Sequence, residues 1–187
     1  MKHLKHYFNE HPVIAGVRNK KEIDKALNSD VIMLFVLDGD IFNIPKIAKK
    51  IKEYDKLIFL HLDLIEGLAS DGKAVRYLAK NELCDGIVST KGRLIRAAKK
   101  EGLMAVQRIF LLDSAAIKSG HQLMKNNKPD AVEILPGVAA PYFLESIDSF
   151  CPVIGGGLIR TRKEIKDLVK QGVFAVSTSK EELWSKE

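Results

Sequence analysis

The sequence predicts an α/β protein, a compact parallel (β/α)8 TIM-like barrel, and three observations carry that prediction. Short Val- and Ile-rich runs alternate with amphipathic stretches along the whole chain, the pattern of a parallel sheet covered by helices. Eight such units can be marked, which favours a closed barrel over an open doubly wound sheet. Polar residues collect where the apolar runs end, the end at which barrels build their sites. At 187 residues the chain is shorter than the ~200 usual for this architecture. Its helices and loops must therefore be minimal, and one outer helix rudimentary.

Residues 1–11 form a basic lead-in with helical character, and a single barrel domain occupies about 12–187. Pro12-Val13-Ile14-Ala15-Gly16-Val17-Arg18 reads as the first strand. Asn19 is placed to cap a helix whose apolar positions Ile23, Ala26 and Leu27 share one face. Val31 to Leu37 is the second strand. Ile44, Ile47, Ala48 and Ile51 then repeat at helical spacing, with Pro45 in the first turn. Leu57 to Asp63 is the third strand, followed by a helix from about Asp71 to Asn81. Gly86 to Thr90 is the fourth, and its helix buries Leu94, Ile95 and Ala98 before Gly102 stops it. Leu103 to Phe110 precedes a helix opened by Asp113-Ser114, and Ala131 to Leu135 precedes a short helix through Phe143, Leu144 and Ile147. The seventh strand, Val153-Ile154, leads to a helix carrying Ile165, Leu168 and Val169. Val173 to Val176 is the eighth, with a last helical turn at Glu181 to Trp184.

Composition bounds the function. Hydrophobic residues make up 46% and charged residues 29%, ordinary values for a globular domain. No apolar run approaches the ~20 residues of a membrane helix, and the start lacks the apolar core of a secretion signal. Cys84 and Cys151 have neither disulfide-framework nor zinc spacing, so buried thiols, no metal and a cytoplasmic location are expected. A formal charge of +6 and an isoelectric point near 9.2 lean towards acidic partners, phosphates and nucleic acid among them.

The seventh and eighth units carry the clearest chemistry. One ends in Gly155-Gly156-Gly157, where backbone N–H groups can approach a ligand closely; the other ends in Ser177-Thr178-Ser179. Such a pair is what the phosphate site after strands 7 and 8 of a barrel requires. The plainer account makes the triplet a tight strand-to-helix turn.

Further polar endings are Arg18, Asp38, Asp63 with Glu66, Ser89-Thr90-Lys91, Gln107-Arg108 and Glu133. Residues two apart share a face, so Ile58, Leu60 and Leu62 should face the helices while His61 and Asp63 point inward. Val132 and Ile134 should likewise face outward and Glu133 inward. Asp38 and Thr90 fit a capping role as well as ligand contact, and His61 fits a satisfied core histidine. An inward Asp63 or Glu133 needs a partner, because an unpaired buried carboxylate is too costly. Arg18, Lys91 and Arg108 can supply one. Asp63, Glu66, Lys91, Arg108 and Glu133 are the expected mouth of a ligand site.

Three helices carry basic stripes: Arg93, Arg96 and Lys100; Lys163, Lys166 and Lys170; and Lys46, Lys49 and Lys50. Such stripes are ordinarily solvated faces. With the net charge, the first two are the candidates for contact with RNA phosphates.

Six blocks then resemble one family in its own order. They are His61-Leu62-Asp63-Leu64-Ile65-Glu66-Gly67-Leu68, Asp85-Gly86-Ile87-Val88-Ser89-Thr90-Lys91, Gln107-Arg108-Ile109-Phe110-Leu111-Leu112-Asp113-Ser114, Glu133-Ile134-Leu135-Pro136-Gly137, Gly156-Gly157-Leu158-Ile159-Arg160-Thr161 and Val176-Ser177-Thr178-Ser179. The chain is similar, from about Val13 to Trp184, to the glycerol uptake operon antiterminator regulatory protein family of bacteria. The first strand matches less closely and the lead-in lies outside the match. The resemblance implies a barrel that senses glycerol 3-phosphate as effector, with no other cofactor, and binds the leader mRNA of glycerol-utilisation genes to prevent premature termination. Homo-oligomer formation is left open. The alternative is a small barrel enzyme acting on a phosphorylated glycerol or sugar. There Asp63 or Glu133 would serve as acid or base and Lys91 as electrostatic stabiliser.

Overall fold

Eight parallel strands hydrogen-bond in chain order, and the eighth closes on the first. The structure, a computed structural model, describes residue 4, residues 7–8, 11–147 and 151–186. The strands are β1 (Val13–Val17), β2 (Met33–Val36), β3 (Leu57–His61), β4 (Gly86–Ser89), β5 (Met104–Phe110), β6 (Ala131–Leu135), β7 (Val153–Gly156) and β8 (Ala175–Thr178). The helices are α1 (Lys20–Leu27), α2 (Ile44–Lys52), α3 (Gly72–Lys80), α4 (Gly92–Lys100), α5 (Ser114–Asn127), α6 (Ala140–Glu145) and α7 (Arg162–Lys170). A 3-10 turn, Glu181–Leu183, stands where an eighth helix would lie, so the short chain does economise on its last outer element.

Side-chain caps start four of these helices. Asn19 caps α1 by accepting from Glu22 N, and Asp71 and Asp113 do the same for α3 and α5. Thr161 and Glu164 form a reciprocal capping box at α7. The residues between the sheet and the helices form one apolar layer, including Ile58, Leu60, Val132 and Ile134. A second cluster fills the barrel: Ile14, Met33, Phe35, Phe59, Val88, Val106, Ala131, Ile154 and Ala175. Leu4 and Phe8 are buried in that inner cluster, so this part of the lead-in belongs to the barrel core. Tyr7 and His11 are also described, and the other lead-in residues lie outside the described residues.

Most strand ends differ from the sequence reading by one or two residues, and three of the differences bear on the site. β3 ends at His61, and Leu62–Leu64 coils into a 3-10 turn that keeps Leu62 in the outer layer. β7 runs two residues further, through Gly155 and Gly156, which pair with Val176 and Ser177. β8 is shifted towards its C-terminus. Ser177 and Thr178 are strand residues, in register with Ile14 and Ala15 of β1. In each case ladder pairing with a neighbouring strand, invisible locally, decided the end.

Candidate functional site

Glu133 is the centre of the barrel mouth. It lies on the inward face of β6 and is wholly buried, yet it has two donors. Arg108 on β5, in register with it, donates from Nε to Oε2 at 2.6 Å. Ser177 on β8 donates from Oγ to Oε1 at 2.5 Å. Both partners come from positions that the alternation of their strands turns inward. The carboxylate is therefore held by one charged and one neutral hydrogen bond, the condition under which such burial is tolerated. One of the five Arg108 N–H donors is used on Glu133, and the rest remain available to an anion.

The three glycines have three separate tasks. A side chain on Gly155 would meet Gly137 and Leu168, so this residue turns outward and admits the turn after β6. A Cβ on Gly156 would lie 2.6 Å from Glu133 Oε1 and 2.7 Å from Ser177 Oγ. Its bareness makes room for the Glu133–Ser177 bond. Gly157, at φ +73°, begins the loop proper and is followed by Leu158, also left-handed at φ 59°.

A cavity of about 130 Å³ opens here. Arg108, Glu133 and Ser177 line it together with Gly157, Thr178 and Ser179. Gly16, Phe35, Leu37, Leu135, Leu158 and Ile159 supply its apolar wall, and Arg18 stands at the opening. The volume is well below the roughly 300–1,000 Å³ of pockets for drug-sized molecules, and suits a ligand of a few heavy atoms. Clefts of about 490 and 500 Å³ lie beside α5 and between α1 and α2; the second shares Arg18 with this cavity and includes Asp38, but Arg108, Glu133 and Ser177 line neither. The sequence reading missed Gly16 and the apolar wall. Gly16 had a signal, since it occupies an inward position of β1 near the strand end.

Asp63 and Lys91 form a second polar group beside the cavity rather than in its wall. Lys91 Nζ lies 2.9 Å from Asp63 Oδ1, an ion pair not aligned as a hydrogen bond. Ser89 Oγ donates to Asp63 Oδ2 at 2.7 Å and Thr90 N donates to the same oxygen at 3.3 Å. Burial acts against the charged form of Asp63, but Ser89, Lys91 and Thr90 outweigh it and hold its pKa below the ordinary value. His61 Nδ1 is 3.8 Å from Asp63 Oδ2. Burial first, then the charge of Arg108, lowers the His61 pKa, while Asp63 and Glu133 act the other way. His61 thus couples electrostatically to both polar groups.

The other expected residues are dispersed. Glu66 is exposed, and its main chain bridges to the loop after β2 through Gly39 and Ile41. Neither Asp38 nor Thr90 is the capping residue of the helix that follows it; those positions are Asn43 and Lys91. Arg93, Arg96 and Lys100 are exposed on α4, and Lys163, Lys166 and Lys170 on α7, three units apart around the ring. Arg96 also donates to Asn127, which donates in turn to the buried Gln107, so it is anchored to the layer beneath. Among the described residues, no group of three or more His, Cys, Asp or Glu side chains could hold a metal ion.

Residues 13–184 match the family model described as glycerol-3-phosphate responsive antiterminator. The chain belongs to that family. It is 33% identical to the Escherichia coli (strain K12) protein YgcP over 185 residues, 97% of this chain and 96% of that one. The crystal structure of the glycerol uptake operon antiterminator regulatory protein from Listeria monocytogenes str. 4b F2365 is similar at a TM-score of 0.87. It is 32% identical over 93% of this chain and 95% of that one. A glycerol uptake operon antiterminator-related protein from Thermotoga maritima MSB8 has a TM-score of 0.84, with 33% identity over 92% and 96% of the two chains.

Proposed function

We propose that this antiterminator-family protein binds glycerol 3-phosphate in the barrel-mouth cavity and, when liganded, binds the leader mRNA of glycerol-utilisation genes in the cytoplasm. The observation that carries the ligand assignment is the small cavity in which Glu133, Arg108 and Ser177 meet the loop ends of β7 and β8. A ligand with one anionic end and two hydroxyls matches its chemistry. Gly157, Thr178 and Ser179, with Arg108 beside them, would take the phosphate. Glu133 is an acceptor for a hydroxyl, and the adjacent Asp63–Lys91 pair would read the other end of the ligand.

No catalytic step is required by this reading. Occupancy need only favour the conformation that binds RNA, and RNA must then tighten ligand binding by the same factor. The exposed stripes Arg93, Arg96 and Lys100 on α4 and Lys163, Lys166 and Lys170 on α7 are the proposed contacts to RNA phosphates. Lying three units apart, they would be used one at a time by a single RNA segment.

The test is titration of the purified protein with leader RNA, with and without glycerol 3-phosphate. The effector should tighten RNA binding and raise the melting temperature, and glycerol alone should do much less. Absence of a thermal shift at millimolar glycerol 3-phosphate would remove the ligand assignment. Neutralising Lys163, Lys166 and Lys170 should weaken RNA binding and flatten its salt dependence. Unchanged binding would transfer the contact to the α4 stripe.

A further inference from the structure

Three adjacent loops at the barrel mouth carry an exposed apolar surface of which only Leu158 also lines the ligand cavity. Phe110 ends β5 and Leu112 follows it, and they are 54% and 82% exposed. Val138 and Tyr142 follow β6 at 56% and 68%, and Leu158 follows β7 at 66%. The loops are tied into one surface, since Leu111 N donates to Leu135 O and Gly137 N donates to Gly157 O. With roughly 150–250 Å² for a large side chain, these five expose on the order of 600 Å² of apolar surface. A patch of that size is at the upper end of what a monomer exposes and is often functional, and the area approaches the ~800 Å² per partner of a standard interface.

Charge decides what covers it. Residues 109–112, 134–144 and 152–159 contain no charged side chain, although 29% of the chain is charged. A polyanion would find no counter-charge across these tracts. A second copy would find apolar surface matching its own, and two chains of +6 repel least where neither carries charge. Exposed Asp113 and Arg160, of opposite sign, flank the surface, so a two-fold contact can set unlike charges against each other at its rim. We propose that the β5, β6 and β7 loops form a self-association face, on which a second copy of this chain docks by a two-fold contact.

Sedimentation velocity of the full chain, over about 10–100 μM, tests this, a range in which a weak two-fold contact is populated. The wild type is expected to reach twice the mass of the 20.9 kDa chain. The variant carrying Leu112→Asp and Tyr142→Asp should stay monomeric at every concentration. Neither residue lines the cavity, so the variant should keep the thermal shift with glycerol 3-phosphate. If the pair of changes prevents folding, Leu112→Asp alone, at the most exposed of the five positions, serves instead. A wild type that remains monomeric overturns the proposal, as does a variant that associates like the wild type. A monomeric wild type whose RNA binding is lost in the variant would also overturn it and assign the surface to RNA. Failure of the ligand assignment is distinguishable, because the thermal shift would then be absent from both proteins.

Discussion

Replacing Glu133 by Leu tests the network at the barrel mouth most sharply. Glu133 is 0% exposed and the Arg108 side chain 10%, with 2.6 Å between Nε and Oε2. Removing the carboxylate leaves a guanidinium poorly solvated and without its counter-charge, and also leaves the Ser177 hydroxyl without its acceptor. Breaking a buried pair from one side costs about 3–5 kcal/mol. Glu133→Gln retains one acceptor oxygen and should cost less, about 1.5–3 kcal/mol, the scale of a hydrogen bond to a charged group. For a chain of this length each kcal/mol moves the melting temperature by about 2–4 °C, so the Leu variant should melt roughly 6–20 °C lower. Adding Arg108→Met removes the orphaned charge, and the double variant should recover part of the loss. The assay is urea unfolding followed through Trp184, the single tryptophan, which is buried and donates from Nε1 to Thr178 O. A Glu133→Leu variant within about 1 kcal/mol of wild type would refute the account of this pair, as would two single changes that simply add.

Gly156→Ala should damage the same network from outside it, because the new methyl would overlap Glu133 Oε1 and Ser177 Oγ. A loss of about 1–3 kcal/mol is expected, with weakened glycerol 3-phosphate binding by calorimetry; unaltered affinity would argue against a cavity built on that bond. Stability should fall as pH drops from about 7 towards 5. The folded-state pKa of His61 lies below its unfolded value near 6.5, so in the window below 6.5 the unfolded chain binds the extra proton. His11, also lowered first by burial, adds to the slope; His61→Gln should flatten part of it in urea titrations, and an unchanged slope would exclude His61. Burial pushes the Cys84 thiol up to about 12, so it should resist alkylation at pH 8 in the native state and react once the chain unfolds. Rapid native labelling at Cys84 would contradict its burial.

The sequence by itself determined the barrel, because hydrophobic periodicity and capping are local. Val and Ile runs of strand length, Asn19, Asp71 and Asp113 at helix starts, and Gly102 at a helix stop are all visible within a few residues. Strand alternation also placed Glu133 inward on β6 and His61 inward on β3. What only the tertiary structure decided was which polar groups meet. Arg108 and Ser177 lie 25 and 44 residues from Glu133, and cross-strand register brings them onto its two oxygens. The same register carried β7 through Gly155 and Gly156, turning one outward and the other towards Glu133. Three neighbouring glycines look alike in a sequence because each lacks a side chain. They differ in the structure because of what stands opposite each one, and that depends on residues far along the chain.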